Sequence, residues 1–155
     1  MAVIHDRKIT TRSFVRARKS LAIAREYVDK LSIKVTGLLQ RMANLSGGNQ
    51  QRVIIGRSLS TAPRILITDE PTRGIDVGAK AEIYRILRRL RCEEGKSIIM
   101  VSSEMEEVVA ECDRVVVMFQ GRVSGELSGM DITKENVFHF AFGGARGETT
   151  RRTGV

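Results

Sequence analysis

Ile65-Leu66-Ile67-Thr68-Asp69-Glu70-Pro71-Thr72-Arg73-Gly74-Ile75-Asp76 is the stretch whose reading decides the fold. Three apolar residues, bounded by Pro63 upstream and by two carboxylates and Pro71 downstream, predict a short buried strand. Its C-terminal end carries Asp69 and Glu70 into a cleft. In open α/β sheets ligands gather beyond the carboxyl ends of the strands, and adjacent carboxylates there suit a magnesium ion and a water to be activated. Asp-Glu-Pro is equally an ordinary way to leave a strand, so the neighbouring segments decide between the two readings.

Downstream, Asp76 is placed to cap a helix whose buried face is Ala79, Ile83, Ile86, Leu87 and Leu90 and which ends at Gly95. The opposite face is basic, with Lys80, Arg85, Arg88, Arg89 and Arg91. Ser97 to Ser102 reads as a buried strand, Glu104 to Ala110 as a short helix and Arg114 to Phe119 as another buried strand. This alternation indicates a parallel sheet. Gln120-Gly121 suits a two-residue turn into Arg122 to Glu126, an edge hairpin. A last helix is expected from about Thr133 to Phe142, followed by a Gly/Arg/Thr-rich disordered tail.

Upstream lies Asn44-Leu45-Ser46-Gly47-Gly48-Asn49-Gln50-Gln51-Arg52, then an apolar pattern at Val53, Ile54, Ile55 and Leu59. Ser46 is a good helix N-cap, whereas two glycines in the first turn cost about 1 kcal/mol each relative to alanine. Bare amides at Gly47 and Gly48 would let an anion approach the positive end of the helix; a flexible hinge is the plainer alternative. Further upstream, Phe14, Ala17, Leu21, Ala24, Val28 and Leu31 recur at steps of three and four, the stripe of an amphipathic helix with Arg12, Arg16, Arg18 and Lys19 in its first half. A short strand is expected at Ala2 to Ile4.

The 155 residues suffice for one core, so a single compact unit with ragged ends is expected. Aromatics are 5% with no Trp, which predicts an aliphatic interior. The net charge of +8 raises an anionic partner such as nucleic acid, lipid or nucleotide. Against nucleic acid, the basic residues are spread over several helices and there is no aromatic stacking surface. Cys92 and Cys112 are too few and too far apart for a disulfide framework or metal cluster and read as cytosolic thiols. No apolar run approaches the ~18 residues that span a bilayer.

Gly95-Lys96-Ser97 imitates the end of a phosphate-binding loop, but Leu90 stands where the first glycine belongs and the context is helix to strand rather than strand to helix. It reads as a helix stop. The order and spacing of Leu45-Ser46-Gly47-Gly48-Asn49-Gln50-Gln51-Arg52, Ile65 to Thr72, and Gly74-Ile75-Asp76 resemble the nucleotide-binding domain of ATP-binding cassette (ABC) proteins. The Asn-Gln-Gln ending, Thr72 to Lys80 and Ser102-Ser103-Glu104 look most like the second cassette of bacterial importers of ribose, galactose, xylose and related sugars.

That resemblance covers roughly Phe14 to Gly144 and only the C-terminal part of a cassette. It implies an α/β fold, a partial ABC ATPase with a RecA-like parallel sheet and flanking helices, plus part of the helical subdomain. On this basis residues 1–44 are expected as partial helical subdomain, 45–130 as the signature helix and ATPase core, 131–144 as a C-terminal helix and 145–155 as a tail. The resemblance casts Ser46, Gly47, Gly48 and Asn49 as signature contacts to ATP held by an opposite cassette. It casts Asp69 as the carboxylate orienting Mg2+ through water, Glu70 as general base and Asp76 as the loop that signals across the dimer. Ser103 falls at the position of the switch histidine and brings no imidazole to the γ-phosphate, as in the sugar-importer second cassettes. Asn49 replaces the commoner glutamine.

The family's P-loop and glutamine loop lie upstream of the helical subdomain and have no counterpart here, so a fragment, a truncated product or one part of a split protein is expected, inactive alone as an ATPase. The implied function is the ATP-binding subunit, or a piece of it, of a carbohydrate importer, peripheral on the cytoplasmic face of the membrane. Expected partners are a second cassette, transmembrane permease subunits and, indirectly, a periplasmic sugar-binding protein, with no nucleic acid. The alternatives are a catalytically incomplete remnant that only docks on a permease or intact cassette, and a soluble ABC ATPase of DNA repair or translation.

Overall fold

The structure is a computed structural model that describes residues 10–11, 14–15 and 17–144. The expected strand at Ala2 to Ile4, the basic residues Arg12 and Arg16, and the tail beyond Gly144 lie outside the described residues. Instead of the single unit expected from length, the chain divides into two compact units, Met1–Val101 and Ser102–Val155.

In the first unit, β1 (Thr10–Thr11) pairs antiparallel with β2 (Phe14–Val15). The amphipathic helix therefore begins later than its periodicity suggests: α1 spans Ala17–Lys30, and Phe14 belongs to a strand. The stripe is half right, because no residue inside α1 is buried, while Leu31 immediately after it is 1% exposed. Ser32 takes a left-handed φ of 51°, and Ile33 N–H bonds back to the Val28 carbonyl at 2.9 Å, closing the helix end and turning Leu31 and Ile33 inward.

A 3-10 turn (Met42–Asn44) leads into α2 (Gly47–Leu59), whose buried residues are Gly48, Arg52, Ile55, Gly56 and Leu59. Their spacing of four, three, one and three is one helical face. Ile54, counted in the apolar pattern, points out and is exposed. At Gly56 a Cβ would stand 3.0 Å from Leu31 Cδ1 and 3.4 Å from Tyr27 Cβ, so the bare backbone lets α1 and α2 approach. The Tyr27 hydroxyl donates to the Leu59 carbonyl at 2.9 Å across that contact, and burial raises its pKa.

Strand β3 (Ile65–Asp69), helix α3 (Val77–Cys92) and strand β4 (Ser97–Val101) form a β-α-β unit in which β3 and β4 pair in parallel, from Ile65 opposite Ser97 to Asp69 opposite Val101. Leu66, Ile98 and Met100 face the core made by Leu31, Ile33, Ile55, Leu59, Ile83, Tyr84, Ile86, Leu87 and Leu90. The strand is not buried on both faces as expected. Ile65 is 55%, Ile67 67%, Ile99 51% and Val101 51% exposed. Parallel strands with aliphatics on both faces, as at Ile65, Leu66 and Ile67 and at Ile98 and Ile99, are built for cover on both sides, and among the described residues only one side has it. The basic face of α3 is partly tied down: Arg89 donates to the Lys30 carbonyl at 2.7 Å.

In the second unit, α4 (Met105–Glu111), β5 (Arg114–Phe119), β6 (Arg122–Ser128) and α5 (Lys134–Ala141) enclose Val115, Val117, Leu127 and Val137. β5 pairs antiparallel with β6, the edge hairpin that the two-residue turn predicts. Gln120 (φ 47°) and Gly121 (φ 75°) supply the two positive φ angles of the tight hairpin turn expected there. Thr133 Oγ1 accepts from Asn136 N–H at 3.2 Å, capping α5.

Candidate functional site

Four of the eight candidate residues sit together at the N-terminus of α2. Ser46 occupies the N-cap position with extended backbone (φ −63°, ψ 155°), yet its side chain makes no capping bond to the first turn. Its Oγ instead accepts from Asn49 Nδ2 at 2.9 Å. α2 carries no acidic residue in its first turn, so no carboxylate of its own offsets the positive end of the helix dipole. Gly47 is exposed, which keeps that end open.

The two glycines have different reasons. A Cβ at Gly48 would lie 2.7 Å from Ala79 Cβ, so glycine is required there by the close approach of α2 and α3. A Cβ at Gly47 would meet Ile75 Cγ2 at 3.0 Å. These contacts seat the turn at 46–48 directly on the loop at 74–76. Asp76, the fifth candidate, is the N-cap of α3, its Oδ1 accepting from Ala79 N–H at 2.9 Å. The motif Ser46 to Gly48 and the Asp76 loop, separate in the chain, are thus one surface.

Asp69 ends β3 and is exposed, and Glu70 follows it half-buried. The Glu70 N–H bonds to the Val101 carbonyl at 2.9 Å, and its carbonyl accepts from Arg73 N–H at 3.2 Å. Between these bonds the residue is held at φ 45°, a left-handed conformation that costs a non-glycine residue on the order of 1 kcal/mol. Strain of this kind persists where the surroundings fix it, here the β3–β4 end and the turn through buried Pro71 and Thr72. Thr72 lies 1% exposed and its hydroxyl bonds the Tyr84 hydroxyl at 3.1 Å, anchoring the loop to α3. Ser103, the remaining candidate, is exposed in the second unit, beside Ser102, whose Oγ donates to Glu107 at 3.1 Å.

Among the described residues no group of three His, Cys, Asp or Glu side chains is arranged to hold a metal. One or two carboxylates completed by phosphate oxygens and water is the usual magnesium site, and exposed Asp69 at a strand end is compatible with that sparser arrangement.

Arg52 escaped the sequence reading. It is 7% exposed, donates from Nη1 to the Ser32 carbonyl at 2.7 Å and pairs through Nη2 with Glu82 of α3, while its Nε has no partner. Burial, and secondarily the charge of Arg85, lower its pKa. The signal was available: position 52 lies four residues after Gly48 and three before Ile55, on the buried face.

Residues 3–73 match the family model described as ABC transporter. The chain is 53% identical over 118 residues to the ribose import ATP-binding protein RbsA of Ruegeria sp. (strain TM1040), a match covering 76% of this chain and 23% of that protein. It is 51% identical over 118 residues to the xylose import ATP-binding protein XylG of Moorella thermoacetica, with the same two coverages. A bacterial ABC transporter cassette solved in a dimeric structure superposes with a TM-score of 0.64 at 27% identity, over 76% of this chain and 50% of that one. On these matches the chain belongs to the ABC transporter family and is folded as a partial ABC ATPase. Its relatives within that family are ribose and xylose import ATP-binding proteins, and it spans about a quarter of their length. Among the described residues no helix is long and apolar enough to cross a membrane.

Proposed function

We propose that this chain is part of the ATP-binding subunit of a sugar importer and that its self-sufficient contribution is the turn at Ser46 to Gly48, offered to a nucleotide held by another cassette. The observation that carries this reading is the seating of that turn on the Asp76 loop, with Gly47 against Ile75 and Gly48 against Ala79. The helix end has no side-chain cap and no acidic residue, Gly47 is exposed and Gly48 packs against Ala79, an arrangement suited to recognising a phosphate with backbone amides. Positioning and electrostatic stabilisation, rather than covalent chemistry, carry phosphoryl transfer, and this surface would contribute to both.

Asp69 would orient the water shell of Mg2+, and the metal when bound would neutralise phosphate charge. Glu70, its backbone fixed by Val101, would take the proton of the attacking water, since a base must be held within hydrogen-bond reach of its proton. Asp76 would report nucleotide occupancy across the dimer through the helix it caps. In a complete importer the partners would be a second cassette, the transmembrane permease subunits that hold the chain at the inner membrane face and, through them, a periplasmic sugar-binding protein.

Photo-crosslinking with labelled ATP tests the central claim. The purified chain alone shows no saturable labelling at micromolar nucleotide, whereas it co-sediments with an ATP-loaded intact cassette of a ribose importer, and Ser46→Arg abolishes the association. Saturable labelling of the chain alone, or association that ignores both nucleotide and Ser46→Arg, would overturn it.

A further inference from the structure

The resemblance places Asn49 among the groups that touch nucleotide, but both ends of its amide are engaged inside the protein. Oδ1 accepts the Lys34 backbone N–H at 2.9 Å, and Nδ2 donates to Ser46 Oγ at 2.9 Å. We infer that Asn49 is a positioning residue: it clamps the Ser46 hydroxyl as a hydrogen-bond donor aimed out of the helix end, and sets that aim from the loop that follows α1.

The orientation of the amide is determined by chemistry. Lys34 presents an N–H, which only the carbonyl end of the Asn49 amide can accept, so the NH2 end must face Ser46. A serine hydroxyl has one proton and two acceptor sites. With Asn49 occupying an acceptor site, and no bond from Ser46 to the amides of α2, the proton is left to point at an incoming acceptor such as a phosphate oxygen. An unclamped serine at a helix start does the opposite, turning its oxygen onto the N–H groups of the first turn and competing with an anion for them. One side chain therefore keeps Ser46 a donor and keeps the first-turn amides unspent.

Lys34 is held in turn. It follows Ile33, 7% exposed, and the Ser32 carbonyl two residues earlier is gripped by Arg52. A displacement of the segment after α1 would withdraw the Lys34 N–H, release the Asn49 amide and free the Ser46 hydroxyl to fold back. The readiness of the helix end to meet an anion is thus set by the loop at 32–34. Asparagine fits this bridge; glutamine, with one more methylene, moves both amide ends at once.

The inference rests on the proposed role of Ser46, and the test separates the two in two arms. In the first, hydrogen exchange of the full chain is followed by NMR. The Lys34 amide is protected in the wild type, exchanges about tenfold faster in Asn49→Ala, and stays protected in Asn49→Asp, which keeps an acceptor, and in Ser46→Ala. An unprotected Lys34 amide in the wild type, or one indifferent to Asn49→Ala, overturns the bridge. In the second, affinity for an ATP-loaded ribose-importer cassette is measured as a double-mutant cycle. Ser46→Ala and Asn49→Ala each weaken association about tenfold and the double variant no more than either, because Asn49 acts through Ser46. Additive losses overturn the inference, since Asn49 would then touch the nucleotide itself. Should the wild type fail to associate at all, the functional reading falls, and the first arm still decides the bridge.

Discussion

Replacing Gly48 by alanine tests whether the glycine serves packing or only backbone freedom. The added methyl would stand 2.7 Å from Ala79 Cβ, about an ångström inside ordinary carbon–carbon contact. Both atoms sit on helix backbones, so no side chain can swing away and α2 must lift from α3. Overpacking of this kind costs about 1–3 kcal/mol, and the higher helix propensity of alanine returns at most about 1 kcal/mol. A net loss of about 1–2 kcal/mol is expected. Gly47→Ala meets only the Cγ2 end of Ile75 at 3.0 Å, a side chain able to shift, and should change stability by less than about 0.5 kcal/mol. The chain contains two tyrosines and no Trp, and both, Tyr27 and Tyr84, lie in the first unit, so tyrosine emission during urea unfolding reports that unit. With a slope of about 1–1.5 kcal/mol per molar urea, Gly48→Ala should lower the midpoint by roughly 1 M. Ala79→Gly in that background removes the opposing methyl and should recover part of the loss, against the added cost of a second helical glycine. A Gly48→Ala variant as stable as the wild type would refute the reasoning and return Gly48 to a purely backbone role.

Three further outcomes are expected. Glu70→Gly relieves the left-handed φ of 45° and should exceed Glu70→Val in stability by about 1–2 kcal/mol by the same urea assay, because a β-branched residue is least tolerant of that conformation; equal midpoints would deny the strain. Arg52→Ala removes a buried guanidinium that bridges the Ser32 carbonyl and Glu82 and should cost about 2–3 kcal/mol, more than Glu82→Gln, since Glu82 is half exposed and partly screened; the reverse order would show that the ion pair, not the carbonyl bond, dominates. In the second unit, burial raises the pKa of the half-buried Cys112 thiol, so alkylation at pH 8 should modify exposed Cys92 first and Cys112 more slowly, with the difference vanishing on unfolding. Because the folded pKa of Cys112 is raised, its contribution to stability is complete below the unfolded thiol pKa and declines as pH rises through the folded value; Cys112→Ala should flatten the alkaline limb of the stability profile.

The order of elements was legible because periodicity and punctuation are local. Pro63 and Pro71 bracket β3, Asp76 caps α3 as its position before an apolar face requires, and Gln120-Gly121 turns the hairpin. Local pattern failed where pairing or cover decides. Phe14 continues the helical stripe yet pairs with Thr11 in a strand, and Ile67 and Ile99 continue apolar runs read as buried yet are exposed.

For the candidate site, the sequence by itself determined the chemistry available: a serine and two glycines opening a helix, two acids ending a strand, an aspartate capping the next helix. Residue identity and spacing suffice for that, because caps and strand ends are set within a few residues. Only the tertiary structure decided that Gly48 answers to Ala79, that Asn49 spans from Lys34 to Ser46, that Arg52 is buried between Ser32 and Glu82, and that Glu70 is held left-handed beside Val101. Each of these depends on which surfaces meet across a long stretch of chain, and side-chain spacing along one element carries no record of what lies opposite it.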